Sequence, residues 1–322
     1  MQTAVEIKNV FEEYLKRSNF NGDPQTLYDP INYILSLKAK RARPVMLLLG
    51  CQLFDSQIES ALPAGLAIEV FHNFTLLHDD IIDDAPIRRG HDAVHIKFGT
   101  NKAILAGDAM MVLANKLLNT VQTDEGSYIS KQFNKAALAI CEGQQLDTDF
   151  ETSDDVTIED YIEMIRKKTA VLLGVSLEIG ALIGGASRED AKRLYQFGEQ
   201  FGISFQIQDD LLDAFGDQEK VGKQTGGDIL QGKKTYLYLK ALDLLEGQEK
   251  LDFIDAYSSK DELGKVEKIK AKFKSIGADE YSRQLRDAYH DLAFSHLNQS
   301  HHNQEAIDNL VEYSNLFIAR ES

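Results

Sequence analysis

All five prolines of this chain, Pro24, Pro30, Pro44, Pro63 and Pro86, lie before residue 87, and residues 87–322 contain none. Proline breaks helices and punctuates strands and turns, so so long a stretch without it predicts helices joined by short connections. The apolar residues agree: Ile7-Val10-Phe11-Tyr14, Leu66-Val70-Phe74-Leu77, Ala106-Met110-Leu113-Leu117 and Phe133-Ala137-Ile140 all recur at helical spacing. No run alternates with period two between turn signals. Thr157 followed by Ile158, Glu159 and Asp160 predicts a helix start with a capping residue and early acids. The expected fold is all-α.

With 43% hydrophobic residues the chain can bury a sizeable core. No Ser/Pro/Gly-rich linker and no internal repeat divides it, so residues 1–322 are read as one large helical domain. The clear shift in composition, Gly216 to Lys234, predicts a loop. Fifty-one acidic against 35 basic residues give a net charge of −16, which argues against nucleic acid or an anionic membrane surface as partner. Residues Met1 to Phe20 are too charged for a signal peptide, and the apolar run Leu172 to Ala186 is interrupted by Glu178 and four glycines. Cys51 and Cys141 form no CxxC pair. A cytoplasmic protein without stable membrane insertion is expected.

Chemistry concentrates in two acidic clusters. Asp79-Asp80-Ile81-Ile82-Asp83-Asp84 follows an apolar helical run, and helical spacing sets Asp83 and Asp84 one turn beyond Asp79 and Asp80, four carboxylates on one face. Such like charges repel, so something positive should compensate. Asp209-Asp210-Leu211-Leu212-Asp213 repeats the spacing after a second apolar run, and Asp217 extends it. One acidic run reads as a solvated helix face. Two runs amid residues that should be buried suit hard cations such as Mg²⁺, which takes a carboxylate or two together with substrate phosphates and water. Cations lie near them in sequence: Arg88-Arg89 after the first cluster, Lys223, Lys233 and Lys234 after the second, and Lys40-Arg41-Ala42-Arg43 near the start. Arginine forks and lysine point charges both suit phosphate oxygens.

Of two other motifs, the first fails and the second is poor. Gly227 to Lys233 fits GxxxxGK, but Lys234 stands where a phosphate-binding loop has Ser or Thr, and no strand precedes it. Glu69-Val70-Phe71-His72 is half of a di-iron signature, and no second Glu-x-x-His exists.

Taken in order, these motifs resemble the polyprenyl synthetase family, the trans-isoprenyl diphosphate synthases. The matches are Lys40-Arg41-Ala42-Arg43-Pro44; Asp79 to Gly90; Gly143-Gln144-Gln145-Leu146-Asp147; Lys168-Thr169; Phe205-Gln206 leading into the second cluster; and Gly222-Lys223, Gly227-Asp228 and Gly232-Lys233. Each is weak alone, and their order is specific. The resemblance implies the all-α bundle of the isoprenoid synthases and a homodimer. It also implies about three Mg²⁺ holding an allylic diphosphate through Asp79, Asp80, Asp83, Asp209, Asp210 and Asp213, with Arg88, Lys168, Lys223 and Lys233 assisting. Isopentenyl diphosphate would sit on Lys40, Arg43, His72 and Arg89, and the dipoles near Lys168, Thr169 and Gln206 would face the allylic cation. His72 otherwise reads as a core histidine. The family's glycines before KRxRP are replaced by Lys38 and Ala39.

The resemblance also bears on product length. Phe74, Phe71 and Ile68 stand 5, 8 and 11 residues before Asp79, descending the same helix at about 1.5 Å per residue. In the family a bulky residue five before the first aspartate closes the channel early. With Thr75 beside Phe74, this implies a C20 product, geranylgeranyl diphosphate, over C15 farnesyl diphosphate. The aspartate-rich form of the second cluster disfavours a class I terpene cyclase, and two intact clusters disfavour a non-catalytic regulatory paralogue. Arg320 is a weaker candidate for diphosphate contact.

Overall fold

The structure, a computed structural model, describes residues 1–216, 225–259, 263–297 and 303–318. Helices dominate, as the proline distribution predicts. In chain order they are α1 (Ala4–Arg17), α2 (Gln25–Ser36), α3 (Ala42–Gln52), α4 (Leu62–Ile82), α5 (Val94–Phe98), α6 (Thr100–Leu118), α7 (Gly126–Thr152), α8 (Ile158–Ile165), α9 (Val171–Ile183) and α10 (Arg188–Phe215). Then follow α11 (Gly227–Gln231), α12 (Tyr236–Leu244), α13 (Gly247–Ser258), α14 (Lys265–Ser275), α15 (Ala278–Leu297) and α16 (Gln304–Ile318). Among the described residues the strands are β1 (Ile87–Arg88) and β2 (His91–Asp92), an antiparallel pair.

The chain groups into two compact units: the described residues of Met1–Lys135, Val175–Tyr195 and Ser300–Val311, and those of Ala136–Gly174, Gln196–Gln299 and Glu312–Ser322. In the first, α4 packs against α3 and α6, and α6 also receives α2 and α5. Thr3 starts α1 with a capping box: its side chain accepts from the Glu6 N–H, and Glu6 accepts from the Thr3 N–H at 2.8 Å. Ile7 and Phe11 of α1 and Ile68 and Phe71 of α4 are fully buried.

In the second unit Thr157 caps α8 through the same reciprocal box with Asp160, the start that the sequence signals. A π-helical turn, Arg166–Ala170, follows α8 directly. The core gathers Tyr161, Ile207, Leu211, Ile229, Leu237, Phe253 and Phe273. The Gly216–Lys234 segment contains the short α11; Asp217, Gly222 and Lys223 lie outside the described residues, as does Arg320. Among the described residues no helix is long and apolar enough to cross a membrane.

Candidate active site

The first cluster differs from its helical projection. Helix α4 ends at Ile82, Asp83 is its C-cap, and Asp84 turns into the left-handed region at φ 47°. The four carboxylates therefore do not share one face. Asp80 is 1% exposed, whereas the side chain of Asp84 stands in solvent. The end of the helix lets the repelling charges separate, which a continuous helix would forbid.

The compensating charge is Arg88. Its Nε donates to Asp80 Oδ1 at 2.8 Å and Oδ2 at 3.1 Å, a third contact runs from Nη2 to Oδ1, and Nη2 stands 3.7 Å from Asp79. Burial and the neighbouring Asp79 push Asp80 above the usual carboxylate range against the pull of Arg88. Burial also works against the charge of Arg88, yet its hydrogen bonds and attraction to Asp80 hold it above its ordinary value.

The Arg-Arg-Gly sequence makes this possible because it is a hairpin turn. Arg88 pairs with His91, and the two residues between them, Arg89 at φ 54° and Gly90 at φ 77°, both have the positive φ that a tight two-residue turn needs. The turn directs Arg88 to Asp80 and Arg89 to Asn73, whose Oδ1 accepts from Nη1 at 3.1 Å. From α2, Tyr33 fastens the hairpin by donating to the Asp92 carbonyl at 2.8 Å.

The basic group near the N-terminus separates into different roles. Lys40 is exposed. Arg41, at 3% exposure, donates to Glu69 at 2.5 Å, to Glu12 at 3.1 Å and to the carbonyls of Leu35 and Leu37 at 2.8 and 2.9 Å. It is therefore a structural cation, and its partner Glu69 is the glutamate of the incomplete di-iron signature. Arg43 donates from Nη1 to His72 Nε2 at 3.0 Å. An arginine can only donate, so this nitrogen accepts and the ring is neutral. Burial and then Arg43, Arg89, Arg88 and Arg41 hold His72 well below its ordinary value.

Along α4, Ile68 and Phe71 are fully buried and Phe74 is half-buried. Phe71 packs against Phe133 and Phe74, with centroids 5.1 and 5.5 Å apart, and Phe74 meets the edge of His78 at 4.8 Å.

In the second unit the sequence candidates assemble around one carboxylate. Asp210, 7% exposed, accepts from Tyr161 Oη at 2.5 Å and from Gln206 Nε2 at 3.0 Å, and Thr169 Oγ1 donates to Gln206 Oε1 at 3.0 Å. The Asp213 carboxylate accepts from the Asp228 N–H at 3.0 Å and so holds the start of α11. Lys168, in the π turn, donates to Asp147 Oδ2 at 2.6 Å. Gly143 explains that pairing: a Cβ there would stand 2.8 Å from Lys167 C and closer still to Lys168 N. Only a glycine lets α7 approach the turn, and Asp147 then lies one helical turn along to receive the ammonium. Lys168, Thr169, Gln206, Asp210, Asp228 and Lys233 line one cavity, while Asp209 lies beside Asp210 on α10. Lys234 is turned to the carbonyls of Phe150 and Ser153 instead.

The electrostatics call for a cation. Burial, and then the negative charge of Asp228, drive Asp210 well above the usual range despite the donors Tyr161 and Gln206. Burial and then Asp213 push Asp228 up to about 6, although Lys233 pulls it down. Carboxylates raised by burial and mutual repulsion are the donor set that a hard divalent ion relieves. Among the described residues, no three His, Cys, Asp or Glu side chains converge closely enough to hold a metal by themselves. That is compatible with Mg²⁺, which takes few carboxylates and completes its shell with water and substrate phosphates.

Tyr161, Asp147, Glu69 and Asn73 escape a motif-based reading of roles. Asp147 is marked by its place in GQxxD and Glu69 by Glu-x-x-His, a signal for a different chemistry; Tyr161 and Asn73 carry only helix-compatible signals.

The fold and these clusters define an all-α enzyme of the prenyltransferase class. The chain belongs to the polyprenyl synthetase family, whose profile matches residues 24–276. It is 39% identical to a geranylgeranyl diphosphate synthase of Sulfolobus acidocaldarius over 91% of this chain and 90% of that protein. It is 37% identical to a geranylgeranyl pyrophosphate synthase of Geoglobus acetivorans over 98% and 96% of the two chains. A crystal structure of a geranylgeranyl pyrophosphate synthase superimposes with a TM-score of 0.94 at 38% identity, covering all of both chains.

Proposed function

We propose that this protein condenses isopentenyl diphosphate with allylic diphosphates to make all-trans geranylgeranyl diphosphate, C20. The observation that carries the reading is the cavity in which buried aspartate, lysine and oriented oxygen dipoles converge around Asp210, Gln206 and Thr169. The geranylgeranyl names of the relatives and the bulky Phe74 support the C20 length.

In this reading Asp79, Asp80, Asp83, Asp209, Asp210 and Asp213 hold about three Mg²⁺, which when bound neutralise and polarise the allylic diphosphate as leaving group. Arg88, Lys168, Lys223 and Lys233 add positive charge to the same oxygens. Gln206 is fixed with its amide nitrogen on Asp210 and its oxygen on Thr169. The Thr169 hydroxyl oxygen and the amide are thus preset dipoles for an allylic cation, the form of catalysis in which charge is stabilised where it develops. Lys40, Arg43, His72 and Arg89 bind isopentenyl diphosphate, with neutral His72 orienting Arg43. The isopentenyl double bond attacks the cation, a C–C bond forms, and the proton lost restores the double bond and passes to the departed diphosphate. No protein nucleophile is consumed. Phe74, with Phe71 and Ile68 below it, closes the path of the growing chain. We further propose that residues 1–322 act as one domain, as a homodimer in the cytoplasm, without stable membrane insertion.

The reading is tested by removing the metal and then each cluster. EDTA, Asp79→Ala and Asp209→Ala should each abolish incorporation of labelled isopentenyl diphosphate, and Mg²⁺ should restore only the EDTA-treated enzyme. Full activity in any of the three would refute it.

A further inference from the structure

Consecutive residues of α4 each accept a hydrogen bond from one arginine: His72 from Arg43 at 3.0 Å and Asn73 from Arg89 at 3.1 Å. The second contact has a buried foundation. Asn73 is 0% exposed, and its Nδ2 donates to the Glu69 carbonyl and to Glu69 Oε1, both at 2.8 Å. A carboxylate only accepts, so the amide nitrogen must face Glu69 and Oδ1 must face away, toward Arg89. Glu69 cannot swing aside, because Arg41 Nη1 holds Oε1 at 2.5 Å. Arg41 is in turn fixed by Glu12 and by the carbonyls of Leu35 and Leu37. Both arginines at the ends of this line, Arg41 and Arg89, have left-handed backbones, φ 56° and 54°. A left-handed backbone is unfavourable for a residue other than glycine, so each is held there by its surroundings.

Glu69 already has its counter-charge in Arg41, so the line does not need Arg89 for neutrality. It extends to Arg89 through a neutral amide, which consumes one guanidinium N–H and leaves the others for a ligand. We propose that Asn73 is a positioning residue that aims Arg89 at the diphosphate of isopentenyl diphosphate, with Glu69 and Arg41 fixing the amide. The inference rests on the reading that Arg89 binds that substrate.

The test is a double-mutant cycle on the full-length enzyme with Mg²⁺, reading KM for isopentenyl diphosphate and, separately, for farnesyl diphosphate. Asn73→Leu should raise the isopentenyl KM about ten-fold, the equivalent of one charge-assisted hydrogen bond at roughly 1.4 kcal/mol per decade, and leave the farnesyl KM unchanged. In an Arg89→Ala background the same substitution should add nothing, because its effect passes through Arg89. Asn73→Ser, whose hydroxyl is too short to reach Arg89, should reproduce the shift and serves if the leucine variant does not fold. Equal shifts for both substrates, a fall in kcat alone, or an undiminished effect in the Arg89→Ala background would overturn the proposal. If Arg89→Ala itself leaves the isopentenyl KM unchanged, the reading of Arg89 fails and the proposal falls with it. If Arg89→Ala raises that KM and neither Asn73 variant does, the proposal alone is wrong.

Discussion

The hydroxyl of Tyr161 donates to Asp210 at 2.5 Å, so a buried tyrosine of α8 holds the central carboxylate of the second aspartate cluster on α10. Burial and the charge of Asp210 keep that phenol well above its ordinary value, so it remains a donor throughout the working range. Tyr161→Phe leaves the carboxylate with Gln206 as its remaining described donor. The variant should lose about 1–3 kcal/mol of stability, the usual cost of an unsatisfied buried polar group, measured by urea denaturation. It should also need several times more Mg²⁺ for half-maximal activity. An unchanged Mg²⁺ titration would remove Tyr161 from the account of the site.

Gly143 predicts a steric failure in the turn behind the cavity-lining Lys168 and Thr169. Gly143→Ala places a methyl group against the backbone of the π turn that carries Lys168 and Thr169. Overpacking of this kind costs about 1–3 kcal/mol, and the displaced turn should lower kcat more than it changes either KM. Wild-type turnover in a soluble Gly143→Ala protein would contradict the described approach of α7.

His72 should leave a signature in the pH dependence of stability. Its folded value lies below that of the unfolded chain, because burial and Arg43, Arg89, Arg88 and Arg41 oppose its charge. Below about pH 6.5 the unfolded chain takes up a proton that the native protein refuses, so this contribution to stability is present at pH 7 and lost as pH falls. In His72→Gln, whose amide oxygen still accepts from Arg43, that loss should vanish. Relative to wild type, the variant should therefore gain stability as the pH falls from 7 to 5.5. Parallel stability curves over this range would contradict a neutral His72.

How far the sequence reveals all this depends on the kind of signal. The Thr157 start and the helix bearing Phe74 and Asp79 are legible because capping chemistry and apolar spacing are local. The hairpin Ile87–Asp92 is not, since two-residue strands carry no alternation to detect. Residue type also leaves Arg41 and Arg43 indistinguishable, although one is spent on Glu69 and the other meets His72. Asn73 and Tyr161 pass for ordinary helix residues, and Glu69 signals the wrong chemistry, because their roles depend on Arg89, Asp210 and Arg41, each well separated in sequence. The helix projection fails at Asp84, where a left-handed turn ends the periodicity on which it relies.

Phe74 is the residue on which product length turns. It is half-buried between Phe71 and His78. Phe74→Ala should lengthen the product beyond C20, read by chromatography of the dephosphorylated alcohols. An unchanged chain length would assign the ring to packing alone.

The most direct measurement is exhaustive elongation of C5, C10 and C15 allylic diphosphates with excess labelled isopentenyl diphosphate and Mg²⁺, followed by product sizing. The account predicts that every starter accepted converges on C20. Arrest at C15, passage well beyond C20, or no condensation with any starter would contradict it.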